Sequence, residues 1–283
     1  MDFDGISGLE AEITYNGLML NEQRATAPTG IRYQVTDIGG LDDADVRDAR
    51  EVNPARDGEL ALPAFYGGRT ITLTGKIIAG NIRELRQMQQ DLRTAFGPLY
   101  EQPLSFSNST GESVDVQISA RKSAPIQMRE IQANQNPTRD FMVTLRASDP
   151  RFYSMVTNTA TASGALLATT FNAVNGGNAN TDPIIKITGP LVSIAGGAFP
   201  VFSIANNTSG KTMGFYLPAS TMATSASVSI VNSKTRQVSG SLSYSNMMAN
   251  SIFPEVASGS NTFGVTGLTG TGSVQVIYKS AWI

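Results

Sequence analysis

Two residue types that carry much of enzyme chemistry are missing from this 283-residue chain. There is no cysteine, which excludes disulfide bonds, thiolate nucleophiles and cysteine-ligated metals. There is no histidine either, and imidazole is the commonest general base near neutral pH and the commonest transition-metal ligand. A Ser-His-Asp triad therefore cannot be built from this sequence.

Charged residues are scarce, at 16% of the chain against about 25% in typical soluble domains. They are also unevenly placed. Residues 1–150 hold 15 Lys/Arg and 21 Asp/Glu, whereas residues 151–283 hold 6 and 2, so the halves carry net charges of −6 and +4. An acidic first half repels nucleic acid, because duplex binding requires several Lys or Arg side chains against the phosphates. We predict no sequence-specific DNA binding.

Long apolar runs are missing as well. Residues 1–5 have neither the basic region nor the apolar core of a secretory signal, so we expect synthesis in a cytoplasm. The most apolar stretch, residues 192–205, is interrupted by two glycines and a proline and is too short to cross a bilayer. We therefore predict no membrane span.

The first half has mainly β patterning. Asn16-Gly17 lies between alternating apolar residues and predicts a β-hairpin over residues 10–21, since this pair suits the positive φ angles of a type I′ turn. Alternation also predicts strands over residues 69–77, 114–118 and 141–145.

Residues 39–60 are rich in Asp, Glu and Arg and predict a long solvated loop. Residues 120–140 are charged around Asn136-Pro137 and predict an extended hairpin that projects beyond the sheet.

One α-helix is expected in the chain. Its apolar stripe follows three- and four-residue steps and consists of Ile82, Leu85, Met88, Leu92 and Phe96. Asn81 with Glu84 predicts an N-cap pair, and Gly97-Pro98 predicts the end of the helix.

The amino-acid composition changes after Asp149-Pro150, and residues 158–180 contain no charged side chain. Chain length favours about two domains, which we place at residues 1–150 and 151–283. The second half has β-rich runs separated by Gly, Pro, Asn and Ser, at residues 183–187, 199–205, 213–217, 225–231, 236–242, 261–265 and 273–279. Short strands at this spacing predict a sandwich or jelly roll.

Two local motifs invite a ligand-binding interpretation. Gly210-Lys211-Thr212 ends the phosphate-loop pattern, but Ala205 stands where that pattern needs glycine, and residues 213–218 have the pattern of a strand rather than a helix. We favour a polar hairpin turn. A run of aspartates could supply oxygen ligands for calcium, but the glycine and terminal glutamate of an EF-hand loop are missing, so we favour a solvated loop for Asp42, Asp43 and Asp45.

The second half offers two further sets of candidates. Asp182 and Glu255 are its only carboxylates, and a glycosidase needs such a pair flanking the scissile bond. Tyrosines and a tryptophan could form a platform for sugar stacking, and the candidates are Tyr216, Tyr244, Tyr278 and Trp282. We favour Tyr278 and Trp282 as anchors that hold the carboxyl-terminal strand on the core. We predict no catalytic, cofactor-binding or metal-binding residue.

The order of landmarks resembles the distal tail proteins (Dit) of long-tailed phages, the siphovirus tail component family. In the first half the resemblance lies at 40–47 (GLDDADVR), 56–59 (RDGE), 66–75 (YGGRTITLTG), 92–96 (LRTAF) and 147–154 (ASDPRFYS). In the second half it lies at 175–178 (NGGN), 183–190 (PIIKITGP), 204–211 (IANNTSGK) and 259–262 (GSNT).

The resemblance implies a ring, usually of six copies, at the tip of the tail tube. The first domain would form the ring, a β-sandwich-like domain with one helix and an extended hairpin, and a galectin-like second domain would face outward. Its partners would be the tail-tube protein and the tail-tip proteins, DNA would pass through the channel, and no reaction would be involved. Ring closure would also cover exposed sheet edges with copies of the same chain.

Three other functions stay open at this point. A tail-tube protein with an appended domain would be present in many stacked rings. A carbohydrate-binding module for the host envelope would use the Ser/Thr/Asn-rich sandwich and its aromatics to bind saccharide. A cell-wall hydrolase would depend on Asp182 or Glu255.

Overall fold

The computed structural model describes residues 11–21, 32–42, 44–48, 50–52, 57, 59–61, 63–108, 115–130, 137–164, 168–193, 201–217, 222 and 224–283. The chain divides into two compact units, Met1–Met155 together with Ile283, and Val156–Trp282. No helix in the described ranges is long and apolar enough to cross a membrane.

The first unit is built from thirteen strands and one helix in its described parts. The strands are β1 (Ala11–Tyr15), β2 (Leu18–Leu20), β3 (Tyr33–Gly39), β4 (Val46–Arg47), β5 (Arg50–Val52), β6 (Glu59–Ala61), β7 (Phe65–Tyr66), β8 (Arg69–Ile78), β9 (Gln102–Asn108), β10 (Val116–Lys122), β11 (Gln127–Glu130), β12 (Thr138–Ala147) and β13 (Phe152–Ser154). The helix is α1 (Ile82–Ala95).

Its main sheet runs in the order β2-β1-β9-β10-β12-β8-β3, with all neighbours antiparallel. Strand β10 belongs to both halves of this sheet, because Val116 to Ala120 pair with β9 whereas Arg121 and Lys122 pair with β12. The two ends of the sheet also meet, since the Asn21 amide donates to the Tyr33 carbonyl at 2.7 Å. The sheet therefore folds over on itself like a sandwich.

Helix α1 lies against this sheet through Leu85, Met88, Leu92 and Ala95, all buried. The predicted cap is confirmed, because Asn81 Oδ1 accepts from the Glu84 amide and Glu84 Oε2 accepts from the Gly80 amide, both at 2.9 Å. Phe96 stacks on Tyr15 with ring centroids 4.4 Å apart. The place of Ile82 in the buried stripe is wrong: it begins the helix, beyond the edge of the packed face, and is 61% exposed.

The other predictions for this unit are confirmed in most respects. The hairpin over residues 10–21 is β1 and β2, and Asn16 and Gly17 have φ angles of 47° and 78°. A hairpin also forms within residues 120–140, because β11 pairs with the start of β12. Its described strands lie within the sheet, while residues 131–136 lie outside the described part of the chain.

The second unit is a β-sandwich. Its strands are β14 (Asn158–Ser163), β15 (Ala168–Asn175), β16 (Ile184–Thr188), β17 (Leu191–Ser193), β18 (Val201–Asn206), β19 (Lys211–Tyr216), β20 (Val228–Asn232), β21 (Gln237–Gly240), β22 (Gly259–Thr266), β23 (Leu268–Gly270), β24 (Ser273–Tyr278) and β25 (Ala281–Trp282). One sheet has the order β14-β24-β16-β20-β21 and the other has the order β15-β22-β18-β19.

The two sheets enclose one hydrophobic core. One sheet contributes Ile185, Val231 and Val276, and the other contributes ring pairs such as Phe202 with Phe215, whose centroids are 5.2 Å apart. Alternating burial along β18 and β24 turns every second residue toward this core.

The outer edge of β19 is covered by residues 247–252 of the same unit. The amides of Met248 and Ile252 donate to the carbonyls of Gly214 and Thr212 at 2.9 and 2.8 Å. The Ser251 hydroxyl both accepts from the Gly214 amide at 3.0 Å and contacts the Gly214 carbonyl at 3.1 Å. We call this stretch the edge cover; it satisfies backbone groups that an edge strand otherwise exposes.

All seven predicted β-rich runs of the second half contain a strand. Strands β14, β15, β17, β23 and β25 were missed. β14 has the sequence NTATAS, whose small and polar residues give little apolar contrast, although Ala160 and Ala162 alternate inward.

Tyr33 connects the sheet of the first unit to α1. Its hydroxyl donates to the Met88 carbonyl at 2.9 Å, and its side chain is buried. Burial, reinforced by the Asp91 carboxylate and opposed by Arg32, raises the pKa of Tyr33 to about 12 from an ordinary 10.0.

This shift predicts alkaline destabilisation of the first unit. Because the folded-state pKa lies above the unfolded one, stability is retained below pH 10 and falls as the pH rises from 10 to about 12. Urea unfolding monitored across this range should show the fall, and Tyr33→Phe should reduce its slope. Tyr100→Phe, at an exposed position, should keep the wild-type slope. Equal slopes in all three proteins would refute this role of Tyr33.

Candidate assembly surfaces

Four short strands within residues 44–67 form two antiparallel pairs, and we call the described residues of this segment the arm. In it β4 pairs with β7, with Val46 opposite Tyr66, and β5 pairs with β6. In the described residues these short strands pair only with each other. The predicted long loop over residues 39–60 is therefore corrected where the structure describes strands, at residues 46–47, 50–52 and 59–60. Strands of two or three residues are too short to give a recognisable alternation in the sequence.

The root of the arm is fixed by Arg69, which is 1% exposed. Its guanidinium donates to the carbonyls of Leu41 at 2.6 Å, Gly40 at 3.1 Å and Pro150 at 3.0 Å. The same group lies 4.9 Å from the ring centroid of Phe152. Carbonyl dipoles and an aromatic face thus compensate a charge that would be costly to bury alone.

A second anchor holds the arm on β12. Arg146 Nη1 donates to Asp45 Oδ2 at 3.1 Å and to Thr70 Oγ1 at 2.7 Å. Asp45 is therefore engaged in an ion pair rather than free for a cation. Asp42 is exposed, Asp43 lies outside the described residues, and those residues contain no cluster of three acidic groups that could hold a metal.

The arm presents apolar side chains to solvent. Val46, Phe65 and Tyr66 are between 52% and 63% exposed, and all three lie on the paired strands β4 and β7. Val46 and Tyr66 lie opposite each other and share one side of the ladder, whereas Phe65 faces the other side. Exposed apolar side chains of this kind mark a candidate protein interaction site.

In the second unit, Lys211 and Glu255, which belong to different candidate motifs in the sequence, form an ion pair. Lys211 Nζ lies 2.6 Å from Glu255 Oε1, and the Asn180 amide donates to Glu255 Oε2 at 3.2 Å. Lys211 begins β19 just after the turn at Gly210, whose φ is 70°, so the predicted hairpin turn is confirmed and a strand follows. Glu255 is engaged by a cation and an amide, which does not favour a free catalytic carboxylate. Asp182 is next to Thr181, which bridges to Val256.

Three buried asparagines order the neighbouring loops. Asn206 donates to the Glu255 carbonyl at 2.6 Å and to Asn261 Oδ1 at 3.0 Å. Asn261 holds both polar groups of Ala257, and Asn175 bonds Ala179 and Gly177. These amides are saturated by protein groups, so their role is structural.

The four aromatic candidates separate by burial. Tyr278 and Trp282 are buried, and the Tyr278 hydroxyl donates to the Val174 carbonyl at 2.9 Å, which confirms Tyr278 as an anchor. Burial raises the pKa of the Tyr278 hydroxyl. Tyr216 and Tyr244 are exposed and accessible to a ligand.

The sheet β15-β22-β18-β19 has a face opposite the core that carries no charged side chain. We call it the polar face, and its residues are Thr170, Asn172, Val174, Thr262, Gly264, Thr266, Val201, Ser203, Ala205, Thr212, Gly214 and Tyr216. Ser203 and Thr266 hydroxyls are 2.7 Å apart, and the Thr262 hydroxyl donates to Asn172 Oδ1 at 3.2 Å.

No protein-family model and no curated protein matches the sequence. Among solved structures, the fold is similar to the SPP1 Dit protein (gp 19.1), described as a paradigm of the hub adsorption apparatus in phages that infect Gram-positive bacteria. The identity is 12%, the TM-score is 0.67, and the match covers 96% of this chain and 99% of that one. The expected Dit-like, mainly β fold is thereby confirmed as a fold.

Two structures of the phage P2 baseplate in its activated conformation also match. With Ca the identity is 9%, the TM-score is 0.49, and the match covers 97% of this chain and 99% of the other. With Sr the identity and TM-score are the same, and the match covers 95% and 97%.

The arm root predicts a sharp difference between two glycines with positive φ. An added Cβ at Gly40 (φ 86°) would lie 1.9 Å from the Thr70 carbonyl oxygen, whereas one at Gly17 (φ 78°) meets nothing within 4 Å. Gly17→Ala should cost about 1 kcal/mol from backbone strain alone. Gly40→Ala should cost about 3 kcal/mol or more, because overpacking is added. Thermal unfolding measures both, and equal losses would contradict the fixed root.

Proposed function

We propose that this chain is the subunit of a ring-shaped hub at the distal end of a long-tailed phage tail, joining the tail tube to the tail-tip proteins. The observation that carries the proposal is the similarity to SPP1 Dit over both units, with 96% of this chain aligned at a TM-score of 0.67. Residues 1–150 would form the ring, and residues 151–283 would be the galectin-like sandwich carried on it. Six copies are expected from the family resemblance.

The arm supplies a physical reason for assembly. Its anchors at Arg69 and Arg146 fix it to the first unit, while Val46, Phe65 and Tyr66 remain exposed. Burying these side chains against a neighbour removes apolar surface from water. If the covering surface is elsewhere on the same chain, each contact runs head to tail, and such contacts close into a ring when the rotation permits.

Charge is consistent with a passage for DNA. The first 150 residues carry a net charge of −6, so a channel formed by them would repel phosphates rather than bind them. DNA could then slide through without adhering.

No reaction forms part of the proposed role. The chain contains neither cysteine nor histidine, and Glu255 is engaged with Lys211 and Asn180. The virion tail tip is the expected location, after assembly in the host cytoplasm.

A second candidate function is binding of host-surface saccharide by the second unit. The polar face favours it, because hydroxyl and amide groups without charge match a neutral glycan and the exposed Tyr216 offers an aromatic surface beside them. This role is compatible with the ring and would add to it.

On this proposal, ring formation depends on the exposed apolar residues of the arm, Val46, Phe65 and Tyr66. Phe65→Ser with Tyr66→Ser should leave the protein folded but weaken self-association about thirtyfold or more, because aromatic anchors dominate such interfaces. Sedimentation and negative-stain electron microscopy would follow the loss of rings. Tyr244→Ser, at an exposed aromatic of the second unit, is the matched control. A wild-type protein that stays monomeric at high concentration would end the proposal.

Saccharide binding has a separate test. Tyr216→Ala should lower affinity for host-wall polysaccharide fragments about tenfold, through loss of one stacking contact. Tyr100→Ala, exposed on the first unit, should leave it unchanged. Isothermal titration with wild-type protein that detects no glycan binding would remove this second function and leave the ring untouched.

A further inference from the structure

Strand β15 lies at one edge of its sheet in the second unit, and in the described part of the chain it pairs only with β22. It has eight residues, and its register with β22 is unbroken, so no bulge bends it away. Its sequence, ATTFNAVN, contains neither proline nor a charged residue. Short length, bulges, prolines and charges are common devices that keep an edge strand from pairing with another chain. β15 uses none of these four.

The hydrogen bonds of Thr262 show which backbone groups of β15 point outward. Thr262 lies opposite Asn172 on the neighbouring strand. Its amide donates to the Thr208 hydroxyl at 3.0 Å, and its carbonyl accepts from the Asn207 amide at 2.8 Å. Because both groups point away from β15, Asn172 and Thr262 form a non-hydrogen-bonded pair. The amide and carbonyl of Asn172 therefore point out of the sheet edge, and by alternation those of Thr170 do so as well.

Three residues, Thr170, Phe171 and Asn172, form what we call the open edge. Thr170 and Asn172 are exposed, and no described residue bonds their outward backbone groups. The open edge stops before Val174, whose carbonyl accepts from the Tyr278 hydroxyl at 2.9 Å. The unsatisfied backbone groups are thus confined to one short stretch of β15.

The open edge also leaves an aromatic ring incompletely covered. Phe171 packs on the core of the sandwich and stacks on Phe263, with ring centroids 5.8 Å apart. It is nevertheless only partly buried, because no described strand pairs on the outer side of β15. A strand added there would cover the ring and remove apolar surface from water.

A second copy of this chain fits the open edge. Because β15 carries no charge, two copies can approach without like-charge repulsion. With the strands antiparallel and Phe171 opposite itself, Thr170 of each copy faces Asn172 of the other, and each facing pair exchanges both backbone hydrogen bonds. A shift that places Thr170 opposite Val174 would instead meet a carbonyl that Tyr278 already occupies.

We propose that two copies of this chain pair through β15 about a twofold axis at Phe171, which joins their four-stranded sheets into one. The contact is isologous and therefore closes with two copies. The joined sheet ends at both sides in β19, whose outer edge the edge cover already occupies. The polar faces of the two copies would form one continuous surface. This pairing goes beyond the proposed hub and does not depend on it.

Engineered cysteines test the register, because the natural chain has no cysteine. Facing residues that exchange hydrogen bonds have Cα atoms about 5.5 Å apart, which a disulfide can span. Thr170→Cys and Asn172→Cys should therefore give a covalent dimer on a non-reducing gel when the two variants are mixed and oxidised. Each variant alone should stay monomeric on the gel, because identical residues would be about 7–8 Å apart on the diagonal.

Phe171→Cys should form a covalent dimer with itself, because its facing Cα atoms would be about 4.5 Å apart. Adding Thr170→Pro should abolish that dimer, because proline removes the outward amide donor and is tolerated at a sheet edge. Adding Thr170→Ala, which keeps the amide, should retain it. Tyr244→Cys, at an exposed position of the same unit, should give no dimer alone or mixed with Asn172→Cys. Circular dichroism establishes that each variant is folded.

The outcomes separate this pairing from the proposed hub. A mixture of Thr170→Cys and Asn172→Cys that yields no more dimer than either variant alone would overturn the pairing. If the cross-link fails but Thr170→Pro weakens binding of a purified tail-tip protein, the open edge belongs to that protein instead. Negative-stain images of the same samples report on rings: rings without cross-linked dimers would leave the hub standing, and dimers without rings would leave the pairing standing.

Discussion

The arrangement of the first unit around the arm depends on the contacts of one buried guanidinium, that of Arg69. One side chain joins the carbonyls of Gly40 and Leu41 at the root of the arm to the carbonyl of Pro150 and the ring of Phe152. A buried charge is stable only while its partners stay in place, so each of these segments fixes the others. One side chain thereby holds together the segments that meet at the root of the arm, residues 40–41 and 150–152.

Much of the fold could be predicted from the sequence, because periodicity reports burial on one face. The helix, its Asn81 cap, the Asn16-Gly17 hairpin and the seven β-rich runs all follow from such patterns. β14 could not be predicted, because its inward residues are alanines that differ little in polarity from their neighbours. The arm was mistaken for a loop since its strands have two or three residues each.

The candidate site was less accessible to sequence reasoning than the fold. Lys211, from the phosphate-loop-like motif, and Glu255, one of the two candidate carboxylates, are 44 positions apart in the sequence. Only the fold of the sandwich brings them into an ion pair, so each side chain occupies the other instead of a ligand. The exposure of Phe65 and Tyr66 likewise follows from tertiary structure, because two aromatic residues in a two-residue strand give the same sequence pattern whether they are buried or not.

The edge cover over β19 has a consequence for crowding. On the proposed ring, tethered copies would share a small volume, and tethering gives effective concentrations in the millimolar range. A bare strand at that density would recruit its neighbour by strand addition. Because Met248, Ser251 and Ile252 already occupy the backbone groups of Gly214 and Thr212, this edge of each sandwich is closed from within its own chain. Neighbouring sandwiches on a ring would therefore remain independent modules along this edge.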